Sequence, residues 1–408
     1  MGKIELDHTG SGSGITLSSD GTDLLLNGTA IGGGGAALEL YAENPSSPTA
    51  PSATGTNAVA IGDGASATGQ RGMALGYSTL AGPGAVAIGG YTYGAHATGA
   101  GSVAIGGWID DAVASSSYAV AIGEGTNATS AFSLAIGTGA QAVTGEGATA
   151  LTKSRASGTD SFAAAIANNT SSYGATGANS VAMGYLAKAS GIYGVALGNQ
   201  NQSTSAQAFS AGYGNISSGN TTIALGQSNT ASGSRSFVLG SSNTAAQTYS
   251  GAIGRFAHAN IIGKIALSSG VLGSLGAAQN GLFVLASDTT DATSEALTTD
   301  NSTAGTLNQI ILPNNSAYAF HGTIVARQQA SQGTACAAWK IEGLIRREGS
   351  AGTTVLVNSA TTVIDNTPSW GMALSADTTN GGLAITVTGA AATNIRWVAT
   401  IHTSEVTY

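Results

Sequence analysis

Ala58-Val59-Ala60-Ile61-Gly62 is followed by Gly72-Met73-Ala74-Leu75-Gly76, and the same pentad keeps returning as far as Ser250–Gly254. Its closing glycines are Gly62, Gly76, Gly89, Gly106, Gly123 and Gly137, then Gly184, Gly198, Gly212, Gly226, Gly240 and Gly254. The dominant step is 14 residues, with two steps of 17 around Trp108 and a degenerate stretch between Gly137 and Gly184. Within the pentad Val59 and Ile61 share one parity and Ala58 and Ala60 the other, the period-2 mark of a strand. A weaker alternating element follows, as in Ala65-Ser66-Ala67-Thr68-Gly69 and Ala187-Lys188-Ala189-Ser190-Gly191. Each repeat therefore reads as two short strands and two tight turns, with glycine where the chain must take positive φ. Fixed self-similarity at this period is the signature of a solenoid.

Composition agrees with a narrow repeat structure. Charged residues make up 8% of the 408-residue chain, against about 25% in ordinary globular proteins. Glycine is abundant at 61 residues, proline is scarce at 6, and no strict Gly-X-Y period exists, so collagen is excluded. The apolar share of 42% excludes a disordered chain. The net charge is −8 and no stretch is basic enough to neutralise phosphates, so no nucleic-acid partner is expected. The N-terminus, Met1-Gly2-Lys3-Ile4-Glu5-Leu6, has no apolar signal core, and no apolar run is long enough to cross a membrane as a helix. Cys336 is the one cysteine and is expected to be a buried apolar residue.

A 14-residue coil has room inside for alanine and one aliphatic, so a single roll leaves an apolar stripe on its surface. Three copies around an axis would cover it, and a homotrimer is expected. The pentads and their Gly-Ala-x-Ala-Thr-Gly followers resemble the head repeats of trimeric autotransporter adhesins. That resemblance covers about 200 residues and implies a left-handed parallel β-roll of which three associate.

The ends differ from the repeats. Residues 1–44 hold short alternating runs (Ile4–Leu6, Ile15–Leu17, Leu24–Leu26) separated by residues 10–14 and 20–21, which predicts a small β segment with hairpin turns. This part resembles the N-terminal attachment segments of tailed-phage fibres. Pro45, Pro48 and Pro51 mark a linker over residues 45–54, and the shaft is assigned to 55–258. Residues 259–408 carry longer β-branched and aromatic runs at sandwich spacing, which predicts an antiparallel β-sandwich or jelly roll. The block Phe320–Arg327, Ala337–Arg347 and Ile395–Tyr408 resembles a C-terminal domain of marine phage fibres.

Motifs for chemistry are absent. The five histidines show no metal spacing, and neither a nucleophile elbow nor a phosphate loop stands out, so no catalytic, metal or cofactor residue is assigned and a non-enzyme is expected. Asp110-Asp111 is the adjacent carboxylate pair. It reads first as a polar surface bulge, with a glycan-cleaving pair or a cation site as the alternatives. Trp339, Trp370 and Trp397 share strand parity with Ile341, Met372 and Ile395 and read as core, with glycan stacking as the alternative. Recognition is assigned to loops on the rigid C-terminal domain: Gln328, Gln329, Gln332, Asn366, Asp377, Asn380 and Asn394, together with Trp108 on the enlarged coil. The combined expectation is a virion fibre. Its N-terminus would hold a phage tail or baseplate protein and its C-terminal domain a host-surface glycan or outer-membrane component. The alternatives are a bacterial trimeric adhesin, a capsid-mounted fibre and a glycan depolymerase.

Overall fold

The computed structural model describes residues 49–165 and 172–408, and before them the backbone strands Ile4–Leu6, Ile15–Ser19, Leu24–Leu26, Thr29–Ile31 and Leu38–Leu40. The turns expected at 10–14 and 20–21, the linker residues 45–48 and residues 166–171 of the degenerate stretch lie outside the described residues. The chain forms two compact units, residues 1–171 and 172–408. All regular structure among the described residues is β, apart from one 3-10 turn at Ala351–Thr353.

In the first unit Ile4–Leu6, Ile15–Ser19, Leu24–Leu26 and Thr29–Ile31 form an antiparallel meander. Leu38–Leu40 pairs in parallel with Val59–Ile61 and so starts the ladder of pentad strands. From there each pentad strand pairs in parallel and in register with the next, Ala60 opposite Ala74, Ala87, Ala104, Ala121, Ala135, Ala150 and Ala163. A second parallel ladder backs it, from Ser52–Ala53 to Arg155–Ala156. The two ladders together are a parallel β-solenoid. The second unit repeats the arrangement, with pentad strands from Val181–Met183 to Ile265–Ser268 and second strands from Gly174–Ala175 to His258–Ala259.

The solenoid core is thinner than expected. Ala60, Ala67, Ala74, Ala81 and their equivalents fill it, and Val238 is the sole aliphatic that takes an inward pentad position. The valine and isoleucine of each pentad point outward, as in the part-exposed, buried, part-exposed pattern of Val59–Ile61. The two strands of each coil stand so close that alanine methyls make up most of what lies between them. Alanine methyls bury little area, so the stability of each coil leans on its backbone ladder.

Glycine does what the pentad needs. At Gly226 φ is +116°, and a Cβ there would stand 2.0 Å from the carbonyl oxygen of Gly240 in the next coil. The other turn departs from expectation, because Arg71, Tyr118, Phe132, Tyr193, Gln207, Thr221, Arg235 and Tyr249 take left-handed φ without being glycine. Left-handed geometry costs each about 1 kcal/mol. It turns the side chain outward into a column, where Tyr118 and Phe132 stack at 5.4 Å.

In the second unit the ladder passes without a break into an antiparallel sandwich. Ile265–Ser268 pairs with Ala278–Thr289, and that strand opens a five-stranded sheet completed in order by Ile395–Thr407, Ser316–Gln328, Cys336–Arg347 and Val355–Asp365. A smaller sheet of Ser294–Ala296, Ile310–Ile311, Gly371–Asp377 and Gly382–Thr388 covers it. Phe283, Tyr318, Phe320, Trp339, Ile341, Trp397 and Ile401 from the large sheet meet Leu297, Ile310, Trp370, Leu383 and Ile385 between the layers. The outer edge of the large sheet is one long strand, Val355–Asp365. Cys336 is exposed and not buried: Ala337, Trp339 and Ile341 hold the inward parity of its strand, which turns Cys336 to solvent.

Candidate functional site

Register in the large sheet sets one row of charged side chains side by side. Arg396 lies opposite Asp288 on one flank and opposite Arg327 on the other, and Arg327 lies opposite Cys336. All three charged residues sit on the outward parity, because Trp397, Ala326 and Ser287 point into the core. Arg396 Nε donates to Asp288 Oδ1 at 3.1 Å, and Arg396 itself is 85% exposed. Arg327 donates to the carbonyls of Gln328, Gly333 and Ala335 at 3.1, 3.4 and 3.2 Å, so its guanidinium ties down the loop that follows its own strand.

A groove of about 540 Å³ opens here, lined by Asp288, Thr289, Thr290, Arg327, Gln328, Gln329, Ala330, Asn394, Ile395 and Arg396. Two loops form its rim and are bonded to each other. Gln329 N donates to Asn394 O at 2.8 Å, Asn394 N to Gln332 Oε1 at 2.7 Å, and Asn394 Nδ2 to Gln329 Oε1 at 2.7 Å. Gln328 Nε2 donates to Gln332 O at 2.9 Å. The rim is thus held before any ligand arrives, which lowers the ordering cost of binding. Two guanidinium groups, one carboxylate and a fixed set of amides recognise polar, oxygen-rich ligands. Arginine favours carboxylate and phosphate groups in particular, which its planar fork meets with two parallel hydrogen bonds.

Three of the sequence-predicted residues, Gln328, Gln329 and Asn394, line this groove, and Gln332 is bonded to Asn394 and Gln328 behind them. The others stand elsewhere. Asn366 brackets a turn, donating to Trp370 O at 2.8 Å and accepting from Trp370 N at 2.9 Å. Asp377 accepts from Thr379 N, Asn380 N and Asn380 Nδ2 at 2.9, 2.9 and 2.7 Å, so that pair shapes its own hairpin. Trp108 belongs to the other unit, where it is 66% exposed and packs edge-on to Tyr91 at 6.1 Å. Trp339, Trp370 and Trp397 are buried and pack together, and Trp397 Nε1 donates to Thr289 Oγ1 at 2.9 Å beneath the groove. Sequence reading missed Asp288, Arg327 and Arg396. Each is an isolated charge on a strand, and only the pairing of strands far apart in the chain makes them a set.

Comparison with known proteins bears on the shaft first. Residues 53–79, 114–140, 175–201 and 217–243 match the YadA head domain repeat (2 copies). No curated protein sequence matches the chain. Among solved structures the chain is similar to the tailspike protein gp49 of Acinetobacter baumannii bacteriophage Fri1, described as a capsular polysaccharide depolymerase. The identity is 8% and the TM-score 0.22, over 85% of this chain and 62% of the tailspike, so this chain spans less than two thirds of that protein. The expectation of a chain without enzymatic activity is corrected here, because a neighbour described as a depolymerase removes the ground for it. A likeness of that size carries no activity across. The shaft is a parallel β-roll whose repeats are similar to those of the trimeric adhesin heads.

Proposed function

We propose that the chain is a fibre subunit of a tailed bacteriophage, assembled as a homotrimer, whose C-terminal sandwich binds a host-surface glycan in the Arg327–Arg396 groove. One observation carries the reading: a solenoid with no room for a large core leads through paired strands into a rigid sandwich that presents a pre-organised polar groove. The outward stripe of Val195, Leu197, Phe209, Ile223, Leu225, Phe237 and Leu239 supports self-association, since an apolar strip along a shaft is covered most simply by further copies of itself. Three grooves on one fibre would turn weak single contacts into firm attachment. The resemblance of residues 1–44 and of the C-terminal block to phage fibre parts supports the virion setting, with residues 1–44 gripping a tail or baseplate protein. The repeat match favours a second reading, a bacterial surface adhesin.

Sedimentation of the full chain alone and with host surface polysaccharide tests the proposal. A trimer is expected, and Ile223→Asp is expected to reduce it to monomer by burying a charge in the interface. Arg396→Ala is expected to keep the trimer and to weaken glycan binding by about ten-fold or more. A monomeric wild type would remove the trimer, and unchanged binding by Arg396→Ala would remove the groove. Labelled antibody against residues 1–44, imaged on phage particles and on host cells, separates the virion fibre from the bacterial adhesin.

A further inference from the structure

The two enlarged coils of the first unit build a step on the shaft. Each adds three residues after its pentad, giving Gly90-Tyr91-Thr92-Tyr93 and Gly107-Trp108-Ile109-Asp110. The loops stack on each other through close backbone approach, since a Cβ on Gly107 would stand 2.7 Å from Gly94 O. The next turns, at Gly125 and Gly139, are of ordinary size. The enlarged loops therefore overhang them, and the overhang leaves a groove of about 710 Å³.

The lining of this groove is mixed. Its floor is formed by Val113, Asn127 and Gln141, neighbours on the outward parity of the second ladder. Asp110, Asp111, Glu124 and Lys153 supply the charged part of its lining. Arg155 reaches the floor from the next rung and donates to Gln141 Oε1 at 3.0 Å. On the enlarged loops, outside the lining itself but next in sequence to Asp110, Trp108 and Ile109 are exposed, as is Tyr91, against which Trp108 packs edge-on. Such rings have no packing role for the coil, whose core is alanine. Within this unit the outward face of the second ladder lies on the opposite side of the roll from the outward pentad residues Val103, Val120 and Leu134, so self-association through those residues leaves the groove open.

We infer that this step is a second carbohydrate-binding site, selective for uncharged oligosaccharides. Aromatic faces cover the C–H faces of sugar rings, and carboxylates and amides bond their hydroxyls. The carboxylates outnumber the cations three to two, which disfavours acidic sugars here, whereas the arginines of the C-terminal groove favour them. The inference does not rest on the C-terminal groove.

Trp108 supplies its own probe, because the other three tryptophans are buried. The full-length chain would be titrated with chitohexaose, maltohexaose, cellohexaose and oligogalacturonate, followed by tryptophan emission and by calorimetry. Saturable quenching or a blue shift is expected with at least one of the uncharged sugars and none with oligogalacturonate. In calorimetry Trp108→Ala and Asn127→Ala are each expected to weaken that binding by about ten-fold, with unchanged sedimentation and circular dichroism. Arg396→Ala is expected to leave it intact. No response to any uncharged sugar at millimolar concentration would overturn the inference, as would undiminished binding by both shaft variants.

Discussion

Lys264→Ala is expected to lower the unfolding free energy by about 3–5 kcal/mol, the cost of leaving one member of a buried ion pair alone. Lys264 stands in the last turn of the solenoid and Glu405 in the final strand of the sandwich, and both side chains are fully buried. Lys264 Nζ donates to Glu405 Oε2 at 2.6 Å. Gln279 Nε2 donates to the same oxygen at 2.6 Å, and Thr403 Oγ1 to Oε1 at 2.7 Å. The rings of Phe283 and Tyr318 face the ammonium at 5.4 and 5.8 Å. Burial pushes the lysine pKa down and Glu405 opposes that shift, while burial and then the Glu405 charge push the Tyr318 hydroxyl well up. Removing the lysine leaves a carboxylate in a dry pocket. The double variant Lys264→Met/Glu405→Gln, whose amide oxygen can accept from Gln279 while its NH2 donates to the Thr403 hydroxyl oxygen, is expected to regain most of the loss in urea unfolding. Equal losses in the single and double variants would refute this account.

The same knot gives a pH dependence. Gln279 also bonds His258, accepting from its backbone N–H at 2.8 Å and donating to its carbonyl at 3.1 Å. Burial, then the nearby Lys264 charge, holds the His258 pKa below its ordinary 6.5. On acidification the unfolded chain takes this proton first, so stability falls as pH drops below 6.5 and the effect is absent above it. His258→Gln is expected to flatten that slope down to about pH 4.5, where carboxylates begin to titrate.

Asn215→Ala is expected to cost about 4 kcal/mol in urea unfolding, because it orphans several buried backbone groups at about 1–3 kcal/mol each. Asn201, Asn215, Asn229 and Asn243 form a fully buried column at 14-residue spacing. Asn215 Nδ2 donates to Ala211 O at 3.0 Å and to Gly226 O in the following coil at 2.7 Å. Its Oδ1 accepts from Asn229 N at 3.1 Å and from Asn229 Nδ2 at 3.0 Å. Each asparagine therefore ties one coil to the next along the axis of the roll. The coils that carry this column have pentad strands of five residues, as in Phe209–Tyr213, against three in Met73–Leu75. A loss under 1 kcal/mol would mean that water replaces the column without penalty.

The 14-residue pentad was legible without coordinates because every feature that makes it a coil is local. Alternation fixes that the two parities face opposite ways, Gly62 and its equivalents fix the strand ends, and repetition fixes the parallel register. The asparagine column lay in plain view at the same spacing as the glycines. It went unread because an asparagine beside a turn usually stays in solvent, and only a core this narrow encloses it. Likewise Tyr118 and Phe132 gave no hint of left-handed turns, since composition ordinarily assigns those to glycine.

The sequence by itself determined an all-β chain, a narrow parallel roll of two short strands per coil and a sandwich with its tryptophans inside. Local period and residue volume suffice for each of these. Tertiary structure alone decided which charges meet. Asp288 joins Arg396 across 108 residues and Lys264 joins Glu405 across 141. Such pairs depend on the register of strands distant in the chain, where a slip of one residue would turn every side chain to the other face.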